Sequence, residues 1–159
     1  FRTGMHAILI ANDCNSWYES GAVKDVTIRN NKFIECGYNS FPNTYPIAIM
    51  PETHKFVRNH YVHSNISIVD NEFTLFGPPL LFARATENIT FERNMVRRGE
   101  QENFPISNQP MFLLEHCKGV RFRSNVLDTD GMATIIQLQD MKKSQIKYVV
   151  KNELQLITK

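Results

Sequence analysis

Apolar and polar residues alternate in short runs along this chain, and one run recurs. Val26-Thr27-Ile28-Arg29-Asn30-Asn31-Lys32-Phe33 is echoed by Ile66-Ser67-Ile68-Val69-Asp70-Asn71-Glu72-Phe73 and by Ile89-Thr90-Phe91-Glu92-Arg93-Asn94-Met95-Val96. A fourth copy is Val120-Arg121-Phe122-Arg123-Ser124-Asn125-Val126-Leu127, and a degenerate fifth, one residue longer, runs from Ile146 to Leu154 through Asn152. The template is apolar, x, apolar, x, x, Asn, x, apolar. Its asparagines lie 40, 23 and 31 residues apart, so loops of variable length separate constant motifs. Before each copy lies a second short apolar strand: Ala7 to Ala11, Ile47 to Met50, Leu80 to Ala83, Met111 to Leu114 and Thr134 to Leu138. Each repeat is therefore expected to carry at least two strands.

Strands this short bury little surface unless a neighbour stacks about 4.8 Å away. A stacked solenoid satisfies that need. Val26 and Ile28, or Ile66 and Ile68, then point inward while Thr27 and Ser67 face out. Asn31, Asn71, Asn94 and Asn125 are read as turn residues along one corner, because a short amide tolerates the left-handed region and bonds to backbone. Stacked amides can also bond to one another in a ladder. The fold class this predicts is all-β: a right-handed, single-stranded parallel β-helix, a pectate-lyase-like solenoid of about five coils forming one domain over residues 1–159. Spacing two between β-branched and aromatic residues argues against helices. A β-sandwich is the rival, but its hairpins would not place an asparagine at a fixed offset in every unit.

The composition fits one soluble domain: 42% of the 159 residues are hydrophobic and 21% charged. A formal charge of +2, with 18 basic and 16 acidic side chains interleaved, leaves no basic stripe for nucleic acid. No run reaches the roughly eighteen apolar residues of a membrane span, and no signal-peptide pattern is visible. Phe1-Arg2-Thr3-Gly4 reads as the tail of a repeat unit, so a C-terminal fragment of a longer chain is expected. An exposed first coil would invite self-association through that end. Cys14, Cys36 and Cys117 are odd in number and widely spaced, which suits buried free thiols rather than disulfides or zinc ligands.

Departures from a repeat mark candidate binding surfaces. Residues 12–23 hold the only tryptophan, Trp17, beside Tyr18, Asp13 and Glu19. A flat ring near carboxylates suits a sugar, since the ring offers an apolar platform and the acids bond hydroxyls. A loop in which Trp17 only plugs the outside of the coil is the equally open alternative. A second insertion, Gly37 to Tyr45, leads toward Glu52 and is placed as another wall of the same cleft. Glu52, Glu115 and Asp140 fall near the ends of first strands and read as solvated charges. His6, His54, His60, His63 and His116 show no metal-ligand spacing, so neither a metal nor a cofactor is expected.

Four stretches carry a resemblance: Arg2-Thr3-Gly4-Met5-His6-Ala7-Ile8-Leu9-Ile10, Ser16-Trp17-Tyr18-Glu19-Ser20-Gly21, Val26-Thr27-Ile28-Arg29-Asn30-Asn31, and Cys36-Gly37-Tyr38-Asn39-Ser40 running to Pro51-Glu52. They resemble the C-terminal part of glycoside hydrolase family 110, the bacterial α-1,3-galactosidases. The resemblance implies an exo-hydrolase that removes terminal α-1,3-linked galactose from glycans with inversion, and a periplasmic or secreted location. Inversion needs an acid and a base about 6.5–9.5 Å apart. The family's catalytic aspartates lie in a His-Ala-Asp stretch and an Asp-Asp pair, and neither occurs here, so no catalytic residue is assigned. The chain would instead supply part of the substrate wall: Trp17 and Tyr18 lining the galactose pocket, with His6, Asp13, Glu19 and Asn39 as hydroxyl partners. Polysaccharide lyases share the architecture, but their chemistry calls for a calcium-binding acidic cluster that the sequence does not display. A non-catalytic adhesin or carbohydrate-binding solenoid is the other alternative.

Overall fold

The computed structural model describes residues 3–13, 21–37, 44–52, 57–100, 109–129, 131–132, 134–149 and 155–158. Three strands make each of the first four coils. The first coil carries β1 (Ile8–Ile10), β2 (Lys24–Arg29) and β3 (Lys32–Ile34), and the second β4 (Ile47–Ile49), β5 (His63–Val69) and β6 (Glu72–Leu75). The third holds β7 (Leu81–Arg84), β8 (Thr86–Glu92) and β9 (Met95–Arg98); the fourth holds β10 (Phe112–Glu115), β11 (Val120–Arg123) and β12 (Val126–Asp128). Then come β13 (Ile135–Gln139), β14 (Ile146–Val149) and β15 (Gln155–Thr158), which opens a sixth coil.

These strands stack into three parallel sheets, ordered β1-β4-β7-β10-β13-β15, β14-β11-β8-β5-β2 and β12-β9-β6-β3. The chain is a parallel β-helix, as the repeat predicts. The repeated motif is in register: Ile66 lies opposite Val26 and Ile89, and Phe91 lies opposite Ile68 and Phe122. One difference follows from the turn at the asparagine, which divides each motif into two strands and raises the count per coil to three. In the degenerate fifth copy Ile146–Val149 pairs with Val120–Arg123, while Asn152 lies outside the described residues.

Inward positions form one continuous core. Ile66, Ile68, Phe73, Phe91, Phe112 and Phe122 are buried, with Phe33 stacked on Phe73 at 4.6 Å and 7° between ring planes. Removing one such ring leaves a cavity that neighbouring coils cannot fill, at a cost of about 3–5 kcal/mol. The first sheet is covered on both faces in its middle, since Ile47, Ala48 and Ile49 are all buried and Tyr45, Phe82 and Leu113 form a second apolar cluster. Cys36 and Cys117 are buried free thiols, as expected, and burial pushes the Cys117 thiol up to about 12. Cys14 lies outside the described residues.

The asparagine corner differs from expectation in one respect. Asn31, Asn71, Asn94 and Asn125 do stack, but none takes the left-handed conformation. The residue before each does: Asn30, Asp70, Arg93 and Ser124 have φ of 55°, 55°, 50° and 54°. The backbone thus reverses one position early, and the asparagine amide serves both the ladder and the turn, with Asn31 Nδ2 donating to Arg29 O and Asn71 Nδ2 to Val69 O. A second left-handed row crosses the middle sheet at Asp25, Asn65 and Asn88, and Gly119 occupies the same register at φ +67°. Asn88 Nδ2 donates to Asn65 Oδ1 at 3.1 Å, and Asn65 Nδ2 to Asp25 Oδ1 at 2.8 Å.

Candidate functional site

Connections from the first sheet to the second vary most in length. Residues 11–23 join β1 to β2 and residues 50–62 join β4 to β5, whereas Ala85 alone joins β7 to β8. Residues 116–119 and 140–145 make the fourth and fifth joints. This corner carries the insertion at residues 12–23, whereas Gly37 to Tyr45 falls between β3 and β4, on the connection from the third sheet back to the first.

Of the residues expected at a sugar site, His6 and Asp13 are described, while Trp17, Tyr18, Glu19 and Asn39 lie outside the described residues. His6 precedes β1, where its Nδ1 lies 2.7 Å from the Tyr45 carbonyl oxygen and 3.3 Å from the Tyr45 nitrogen. It clips the first coil to the second. Asp13 follows β1 at the insertion corner, beside the strand-like approach of Glu52, whose N–H donates to Asn12 O at 3.4 Å. His6 lies two residues before β1 and Asp13 three residues after it. They stand at opposite ends of β1 and do not form one cluster.

A cavity of about 650 Å3 opens farther along the same corner, lined by Arg58, Asn59, Tyr61, His116, Asp140, Met141, Lys142 and Gln145. It exists because Ala85 leaves the third coil low, so that the 57–62 segment of the second coil leans over the fourth and fifth. Asn59, at φ 60°, turns that segment, and Val62 N–H anchors it to Ala85 O at 2.7 Å. His116 sits on a left-handed residue at the end of β10, with φ 50°, which aims its ring out of the coil. Its Nδ1 lies 2.7 Å from Asp140 Oδ2 and its Nε2 3.2 Å from His60 O. The ring is fixed from both nitrogens. Tyr61 packs on it with ring centroids 5.4 Å apart, and Lys118 Nζ lies 5.9 Å from the Tyr61 centroid. Burial, with the Glu87 carboxylate nearby, pushes the Tyr61 hydroxyl up, against the hydrogen bond that Gln145 offers it.

One acid, Glu115, is thereby corrected from its reading as a solvated charge. Glu115 accepts from Arg84 Nε at 2.7 Å with its side chain 17% exposed, because the parallel register sets Glu115 directly beside Arg84. Asp140 keeps an exposed side chain but is tied to His116. No repeat pattern signals this cavity, since it joins segments two and three coils apart.

The outer face of the second sheet carries an ion cluster beside a smaller hollow of about 410 Å3. Glu92 accepts from Arg123 Nη2 at 2.8 and 2.9 Å and also meets Arg93, whose Nε lies 2.7 Å from Asp70 Oδ1. Arg123 foremost holds the Glu92 carboxyl below its ordinary range, and Arg93 does the same for Asp70. These acids clamp neighbouring coils together. Among the described residues no three His, Cys, Asp or Glu side chains gather as a metal site requires.

Chemically, the corner cavity offers an aromatic wall, an amide, a carboxylate oriented by imidazole, and cations. That set binds hydroxyls and anions. It holds one carboxylate where inverting hydrolysis of a glycosidic bond uses two. No protein-family model matches the chain. Among curated proteins it is 39% identical over 153 residues to alpha-1,3-galactosidase A of Bacteroides fragilis, covering 95% of this chain and 25% of that protein. It is 39% identical over 149 residues to alpha-1,3-galactosidase B of Bacteroides thetaiotaomicron, covering 92% and 24%. To alpha-1,3-galactosidase B of Akkermansia muciniphila it is 37% identical over 125 residues, covering 75% and 15%. The chain spans about a quarter of the length of the first two relatives.

Proposed function

The chain is homologous along 95% of its length to the α-1,3-galactosidases, and from that premise we propose that it is the substrate-wall portion of an inverting exo-α-1,3-galactosidase. The carrying observation is the identity itself, 39% over 153 residues that cover 95% of this chain. In this reading residues 12–23 wall the galactose site, with Trp17 and Tyr18 as its aromatic platform and Asp13 and Glu19 beside it, while His6, at the other end of β1, is left to its contact with Tyr45. The catalytic acid and base belong to the part of the relatives' length that this chain does not match. In support, Asp70, Glu92 and Glu115 are engaged by arginines and Asp140 by His116. A general acid must keep its proton to give and a base must reach water, and carboxylates clamped by guanidinium groups do neither well. Galactose-terminated glycans lie outside the cytoplasm, so a periplasmic or secreted location is part of the same proposal.

The test compares this chain with the full product of its gene on α-1,3-, α-1,4- and α-1,6-linked galactosides, following the anomers by proton NMR. The full product is expected to release β-galactose first, from the α-1,3 linkage, while the chain alone releases none. Release by the chain alone overturns the placement of the catalytic pair. No release by the full product overturns the activity, and a calcium-dependent unsaturated product from an acidic polysaccharide would point to a lyase instead.

A further inference from the structure

We propose that the cavity over the fourth and fifth coils is a subsite for a glycan residue bearing a negative group, a sulfate or a carboxylate. This rests on the galactosidase reading only in taking the ligand to be a sugar. About 650 Å3 is within the range that encloses a small ligand. Tyr61 supplies the aromatic wall, and its ring cannot swing away, because His116 lies against it and is itself fixed by Asp140 and His60. Asp140 is held through one oxygen by the imidazole and remains 62% exposed, able to accept a sugar hydroxyl.

The anion preference follows from charge. Arg58 and Lys142 both line the cavity, Asp140 is its single lining carboxylate, and neither cation makes an ion pair among the described residues. Arg84, Arg93 and Arg123, by contrast, each pair with a carboxylate on a neighbouring coil. A neutral hexose would use Tyr61, Asp140 and Gln145 and leave both cations idle. A sulfate or carboxylate on the ring engages them by charge-assisted hydrogen bonds.

The experiment titrates the chain with galactose 6-sulfate, galactose and inorganic sulfate at low ionic strength, reading backbone amide shifts and calorimetry. Galactose 6-sulfate is expected to bind about tenfold or more tighter than galactose, the increment that one charge-assisted hydrogen bond supplies, with shifts at Tyr61, His116 and Gln145. Arg58→Ala and Lys142→Ala, both exposed and outside the core, should each remove most of that advantage while the fold is unchanged. Equal affinity for the two sugars, or shifts confined to another face, overturns the proposal. So does inorganic sulfate binding as tightly as the sulfated sugar, which would make the cavity a bare anion hole. Galactose release from a neutral α-1,3-digalactoside by the full gene product is measured in parallel. Its loss with sulfated-sugar binding intact removes the galactosidase reading alone; its presence without any sulfate preference removes this proposal alone.

Discussion

The side-chain oxygen of Asn94 accepts two hydrogen bonds from Asn71, from the backbone N–H at 2.9 Å and from Nδ2 at 3.1 Å. Asn94 Nδ2 in turn donates to Ile68 O at 2.9 Å and to Asn125 Oδ1 at 3.2 Å. One buried amide thus satisfies backbone groups that the turn withdraws from the sheets. Asn94→Ala orphans the Asn71 N–H and the Ile68 carbonyl together and should cost about 3 kcal/mol, since each buried unsatisfied group costs about 1–3 kcal/mol. Asn31 stands at the edge of the row, its Nδ2 shared between Asn71 and Arg29 O in a more exposed place. Asn31→Ala should cost about 1 kcal/mol. Urea unfolding of both variants checks this, and equal losses would show that the amides do not act as a ladder.

The fold was legible because a solenoid writes its geometry into spacing. Ile66 and Ile68, two apart, occur again at Ile89 and Phe91, and such pairs face inward in coil after coil. The left-handed position was not legible, since Asn30, Asp70, Arg93 and Ser124 share no side-chain type that announces it. What they share is the inward asparagine that follows. The corner cavity was invisible for another reason: Tyr61, His116 and Asp140 meet only because Ala85 makes the intervening joint a single residue. A repeat shows what recurs, and this site depends on a joint that does not. Of the expected sugar wall only His6 and Asp13 fall among the described residues, and composition alone does not tell which end of β1 each occupies.

Gly119 continues the Asp25, Asn65 and Asn88 row at φ +67°, and a Cβ there would stand 2.8 Å from Asn88 Oδ1. Gly119→Ala combines left-handed strain with that approach and should lower stability by about 1–2 kcal/mol. Asparagine tolerates the left-handed region better and could extend the amide row that already links Asn88 to Asn65. Gly119→Asn should therefore be the milder change in thermal unfolding. Alanine proving as stable as wild type would remove the conformational demand at this position.

His63 is buried, with Nδ1 accepting the Val23 N–H at 3.0 Å, and burial holds its pKa below the ordinary 6.5. The native state keeps it neutral while the unfolded chain takes up a proton near pH 6.5. Stability is then full above that value and declines as pH falls below it, because the unfolded state binds the extra proton. Asp70 and Glu92, whose carboxyls are depressed by arginines, add their own losses only below about pH 4.5, their ordinary range. His63→Asn preserves the acceptor for Val23 without the titration. Denaturation between about pH 7 and 5 should show a shallower decline in His63→Asn than in wild type. Parallel curves would assign the decline to other groups.

Trp17 is the one residue whose replacement separates a sugar wall from a structural plug. If its ring is the platform for galactose, Trp17→Ala in the full gene product removes stacking contact made through ring burial and should lower kcat/KM for an α-1,3-digalactoside at least about tenfold to a hundredfold. Its melting temperature should stay within a few degrees, because insertions on a solenoid corner contribute little to the stacked core. A plug gives the reverse pattern, with lowered melting temperature and turnover preserved in the folded fraction. Trp17→Phe adds a second discrimination, since a smaller flat ring keeps part of the platform and should recover part of the activity. Wild-type turnover in Trp17→Ala would take the galactose pocket away from residues 12–23 and leave the corner cavity beside Tyr61 and His116 as the place where this chain meets sugar.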